Sequence, residues 1–164
     1  NSATKIMLHF AGISNSAEWF FNKVKNLNYN YIGISYYPVY HGTSLTDLKT
    51  KLTSLSQTFG KKIIIAETSY PFSLGYNDWT NNVVGQNNQL VSGYDASFLG
   101  QKNYITAIKS LIKEVPNGIG FCYWGGEWVA FKGNQATDGS TWENQALWDF
   151  NNNTVEGIQA FNKD

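Results

Sequence analysis

Cysteine is almost missing from this 164-residue chain. Cys122 stands alone, so no internal disulfide can form and the redox compartment is not readable from it. Charge is also sparse at 15%, and 12 Lys+Arg balance 12 Asp+Glu. That balance provides neither a basic field for nucleic acid nor an acidic tail. No apolar run is long enough to span a bilayer, and Asn1–Phe10 lacks a signal-peptide pattern. Glycine-rich phosphate fingerprints are absent: Gly12, Gly42 and Gly75 each stand alone, which disfavours a nucleotide-binding doubly wound fold. No serine sits in a Gly-x-Ser-x-Gly elbow, which excludes that hydrolase pattern. His9 and His41 have no His-Glu-x-x-His partner, so zinc spacing is missing too.

Aromatic residues are what the chain has in quantity, at 16%, with 6 Trp and 10 Tyr. Solvation falls to Asn, Gln, Ser and Thr. A neutral, ring-rich surface suits a neutral polar partner such as carbohydrate, whose C–H faces stack on indole and phenol rings, although most Phe belongs to the core.

Four apolar segments read as strands, the first three of them buried. They are Lys5–Phe10, Tyr31–Tyr37 stopped by Pro38, the run around Lys62–Pro71, and Gly118–Trp124. Helical spacing falls between them. Asn15-Ser-Ala-Glu18 gives an N-terminal signal ahead of Phe20, Val24 and Leu27. Ser44-Leu-Thr-Asp47 caps a helix through Leu48, Leu52, Leu55 and Phe59, which Gly60 ends. Tyr104 to Val115 outlines a third helix, and Val155, Ile158 and Phe161 a short terminal one. The β-α alternation predicts an α/β fold with a parallel sheet wrapped by helices, and four such units make half of a (β/α)8 barrel. Between them, residues 72–97 form a long polar stretch of the kind that is usually functional. Asp78, Asn81, Asn82 and Asp95 within it could hold calcium, but no EF-hand pattern supports them, and a solvated loop is the better reading.

Polar and aromatic groups collect at the strand ends: His9 on the first, Ser35, Tyr36 and Tyr37 on the second, Glu67 and Tyr70 on the third, Trp124 on the fourth. In an α/β barrel such ends converge on the active face. Glu67 follows four apolar residues, which places its carboxylate at an enclosed edge and suits a glycosidase nucleophile. His9 is either a substrate contact or a structural histidine. Strand alternation sends Tyr36 and Tyr37 to opposite faces, so one of the two belongs to the core.

Four stretches, Tyr31-Ile-Gly-Ile-Ser-Tyr-Tyr-Pro38 with His41-Gly42, Ala66-Glu67-Thr-Ser-Tyr-Pro71, Gly118–Trp124 and Trp142–Phe150, resemble the endo-β-1,4-galactanases in order and spacing. That family comprises retaining glycoside hydrolases on a (β/α)8 barrel. The resemblance implies that residues 1–164 are the C-terminal half of the catalytic domain, about strands five to eight. It assigns the nucleophile to Glu67, its supporting tyrosine to Tyr36 or Tyr37, and positions in the sugar site to His9, Trp124 and Trp128; Tyr36, Tyr37, His41 and Tyr70, at or just after the strand ends, are read with them as substrate-binding residues. No cofactor is implied, although some bacterial members bind calcium in the loop after strand seven.

Departures from the family pattern are informative. The acid/base glutamate of the family's Asn-Glu pair has no counterpart here, Trp124-Gly125-Gly126 replaces Trp-Glu-Pro, and Glu127 falls out of register. The substrate implied is β-1,4-galactan, with no nucleic-acid or membrane partner, and secretion follows only from that substrate class. The acid is expected from a missing N-terminal half barrel. Failing that, the exposed sheet edges should drive self-association. The alternative is a non-catalytic carbohydrate-binding or interaction module using the same aromatic residues.

Overall fold

A computed structural model describes residues 3–162. Four strands, β1 (Met7–Ala11), β2 (Tyr31–Ser35), β3 (Lys62–Thr68) and β4 (Gly118–Tyr123), alternate with helices α1 (Asn15–Val24), α2 (Pro38–His41), α3 (Leu45–Phe59) and α4 (Phe98–Glu114). The chain divides into two compact units, residues 1–68 with 108–122 and residues 69–107 with 123–164.

The first unit holds the sheet, in the order β1-β2-β3-β4. β1–β2 and β2–β3 run parallel, as the long helical connections require. Ile32, Ile34, Ile63 and Ile65 are completely buried, as are Leu48, Leu52 and Leu55 of α3. Removing each such side chain from water is worth about 1.5–3 kcal/mol, which makes this face the unit's main source of stability. An aromatic chain links β1 to the helices: Phe10 lies 5.4 Å from Phe20, Phe20 5.1 Å from Phe21, and Phe21 6.0 Å from Phe59. The opposite face is tight around Gly33, where a Cβ would stand 2.7 Å from Met7 Sδ and 3.2 Å from Ala66 Cβ.

Helix boundaries follow their caps. Ser44 Oγ accepts from Asp47 N at 3.1 Å, and Gly60 closes α3 in the left-handed conformation, φ +59°. Ser14, one residue earlier than the pattern suggested, caps α1.

One expectation needs correction. β1 is not a buried strand: its residues alternate between exposed and half-buried, and Ile6 and Met7 are exposed. Among the described residues it is an edge strand, with a neighbour on only one side. β4 is the other edge and exposes Ile119 and Cys122. The short terminal helix is present over Glu156–Phe161 and is of the 3₁₀ type.

The second unit is built from loops pinned by buried amides. Gln101 Nε2 donates to the carbonyls of Tyr70 (2.9 Å) and Ala146 (3.0 Å) and to Tyr123 Oη (3.2 Å). Asn144 Nδ2 donates to the carbonyls of Ser73 (2.8 Å) and Val84 (2.7 Å). Backbone carbonyls in irregular segments need such partners, because no ladder satisfies them. The long polar stretch after β3 is therefore ordered by side-chain pegs.

Candidate active site

Glu67 owes its position to a local irregularity in β3. Ile34 pairs with Ile65, but the next residue, Ser35, pairs with Glu67, so Ala66 is an extra residue without a partner. A bulge of this kind reverses the alternation beyond it. Ile63 and Ile65 are buried, then Thr68 takes the buried side while Glu67 is left half-buried on the other.

Tyr37 Oη donates to Glu67 Oε2 at 2.8 Å. Tyr36 N donates to the Glu67 carbonyl at 2.8 Å, prolonging the β2–β3 pairing past the end of β2. Tyr36 itself is fully buried, and its hydroxyl is spent on the Gly42 carbonyl at 2.7 Å. The ambiguity between the two tyrosines thus resolves by geometry: Tyr36 is core, and Tyr37 touches the carboxylate. A hydroxyl donor on a carboxylate oxygen fixes the orientation of that group.

His9 lies in the middle of β1, opposite Gly33, with its Nε2 2.7 Å from Ser35 Oγ. Its ring is exposed, while Ser35 is buried. His41 is half-buried, and Nδ1 accepts from Tyr37 N at 3.0 Å. Burial holds its pKa below the usual imidazole range, against an opposing attraction from Glu67. Its bonds run into the protein.

Tyr70 differs from what the sequence suggested. It is 1% exposed, stacks on Tyr104 with ring centres 4.1 Å apart, and donates to the Tyr94 carbonyl at 2.7 Å. Burial raises its pKa strongly. With its ring and hydroxyl both occupied, it is a packing residue of the second unit and not a surface for sugar.

Trp124 and Trp128 are 39% and 41% exposed, with ring centres 5.8 Å apart in an edge-to-face pair. Trp128 also meets Trp142 edge to face at 6.5 Å. Trp128, Phe131, Val129, Glu127 and Ser140 line a pocket of about 530 Å³ whose walls are mainly apolar. Exposed indoles of this kind offer flat apolar faces to a sugar ring.

Sequence reasoning missed Glu143. It is 1% exposed, and its Oε1 accepts from Asn77 N at 2.7 Å. Burial raises its pKa, and the neighbouring Asp78 adds to the effect. The signal was available: Glu143-Asn-Gln is a polar triplet between Trp142 and Ala146-Leu147, and all three residues are buried.

Of the suggested calcium ligands, Asp78 is buried and accepts from Thr80 N at 2.7 Å, whereas Asp95 is exposed. Among the described residues no group of three His, Cys, Asp or Glu could hold a metal.

The comparisons agree with this architecture. The model of glycosyl hydrolase family 53 matches residues 1–161. An uncharacterized protein of Niallia circulans is 33% identical over 98% of this chain and 45% of its own length. An arabinogalactan endo-beta-1,4-galactanase of Cellvibrio japonicus is 32% identical over 98% of this chain and 43% of its own. The solved GH53 catalytic domain of Ignisphaera aggregans superposes with a TM-score of 0.88 at 32% identity, over 98% of this chain and 47% of that one. The chain spans about half the length of the curated relatives it matches, and its four-stranded sheet corresponds to half of their barrel. It belongs to glycosyl hydrolase family 53.

Proposed function

We propose that this chain is the nucleophile-bearing, C-terminal half, strands five to eight, of a retaining endo-β-1,4-galactanase catalytic domain. The observation that carries the reading is the Tyr37–Glu67 hydrogen bond at 2.8 Å, made at the end of β3 in a chain that belongs to this family. Glu67 attacks the anomeric carbon of a galactosyl residue and forms a covalent intermediate, which water then releases. A second carboxyl must protonate the leaving oxygen from about 5–5.5 Å away. That group is supplied by a complementary half barrel pairing with the edges of this sheet. Trp124 and Trp128 stack on sugar rings, and His9 meets substrate hydroxyls. Because galactan is outside the cell, the enzyme acts there. Among the described residues no helix is long and apolar enough to cross a membrane.

Hydrolysis of β-1,4-galactan by the chain reunited with a complementary half, and its abolition by Glu67→Gln, is the direct test. Unchanged turnover by that variant would overturn the nucleophile assignment. The pocket beside Trp128 favours a second reading, a carbohydrate-binding module without catalysis. Galactan binding without hydrolysis, undiminished by Glu67→Gln, would support it.

A further inference from the structure

His41 holds Tyr37 from two sides. Its backbone N–H donates to the Tyr37 carbonyl at 2.9 Å, and its side-chain Nδ1 accepts the Tyr37 N–H at 3.0 Å. Tyr37 is the N-cap of the four-residue helix α2, a position whose own N–H no helical bond satisfies. Pro38 follows it and gives that turn its fixed entry angle. The two bonds fix the main chain of Tyr37 on both sides of its Cα, and with it the direction of the ring whose hydroxyl reaches Glu67.

The arrangement specifies the tautomer. An Nδ1 that accepts a backbone N–H carries no proton, so the ring's single proton is on Nε2. An imidazolium has two donors and cannot make this bond.

Gly12 supplies the other wall. Its N–H donates to the Ser35 carbonyl at 2.9 Å, and a Cβ there would stand 2.9 Å from His41 Cδ2 and 3.3 Å from Nε2. Its φ of +97° is one that residues with a side chain rarely adopt. The ring of His41 therefore sits between the turn after β1 and the main chain of Tyr37.

We propose that His41 is a positioning residue, an Nε2-protonated neutral imidazole that seats Tyr37 so that its hydroxyl lies on Glu67. The proposal rests on Glu67 being the nucleophile, and it removes His41 from the substrate contacts.

Nitrogen-15 spectra of the imidazole in the intact chain at neutral pH should show an unprotonated Nδ1 and a protonated Nε2. A proton on Nδ1 overturns the proposal without any variant being made. In hydrogen exchange, the Tyr37 amide should lose its protection in His41→Ala and keep it in His41→Asn, whose Oδ1 replaces the acceptor. Equal exchange in the wild type and His41→Ala overturns it. With the complementary half present, hydrolysis of β-1,4-galactan by His41→Ala should show kcat lowered by roughly 100-fold, the scale of a misplaced catalytic group, with KM unchanged and most of kcat recovered in His41→Asn. A raised KM at unchanged kcat would make His41 a substrate contact after all. Unchanged hydrolysis by Glu67→Gln would overturn the nucleophile assignment on which the proposal rests, whereas the tautomer and exchange results do not depend on turnover and test the seating of Tyr37 by itself.

Discussion

One hydroxyl proton links the two side chains at the centre of this site. Replacing Tyr37 with Phe deletes the donor to Glu67 and leaves the ring in place, so folding should survive while galactan turnover falls by about 10²-fold in steady-state assays. A second residue-scale prediction concerns Glu143. Its folded-state pKa is raised above the unfolded value, chiefly by burial. The unfolded chain therefore gives up this proton at lower pH than the folded chain. Stability from this site is fully present below the ordinary glutamate pKa and is lost as pH rises through the folded value. Glu143→Gln keeps an oxygen for Asn77 N and removes the ionisation. Thermal melts should show the variant more stable than the parent at pH 7, with the gap closing towards pH 4. Individual residues were unevenly legible in the sequence. Glu67 stood out because an apolar run leads directly to it, whereas Tyr70 could not be distinguished from a site residue. The groups that bury Tyr70, Tyr94 and Tyr104, are distant in sequence and carry no local signature.

Elements were more legible than the joins between them. α3 is announced by Ser44 at one end, Gly60 at the other and leucines between, and all three signals act as expected. Ser44→Ala should cost about 1 kcal/mol in denaturant unfolding, and Leu52→Ala about 2–5 kcal/mol because it empties a fully buried site. Alternation rightly made one of Tyr36 and Tyr37 core, but it failed in β3 for a physical reason. The bulge at Ala66 reverses the faces of β3 just before Glu67. It cannot be seen in a pattern of apolar and polar letters, because it is set by pairing with a neighbouring strand. Burial of β1 was overestimated for a related reason. Apolar composition marks a strand without saying whether it has one neighbour or two.

At the scale of the molecule, the sheet has two free edges among the described residues, β1 and β4. Unpaired backbone and exposed Ile6, Met7 and Ile119 invite association, and the zero net charge supplies no repulsion against it. Sedimentation of the chain alone should therefore show dimers or larger species that dissolve when a complementary half is added. A strictly monomeric, well-folded species would contradict this. The one thiol gives a direct way to follow the process. Cys122 is exposed on the edge strand β4, so a maleimide or disulfide reagent reports on that edge and on nothing else. Covering the edge should slow its reaction, which turns a residue with no assigned chemistry into a clock for barrel closure.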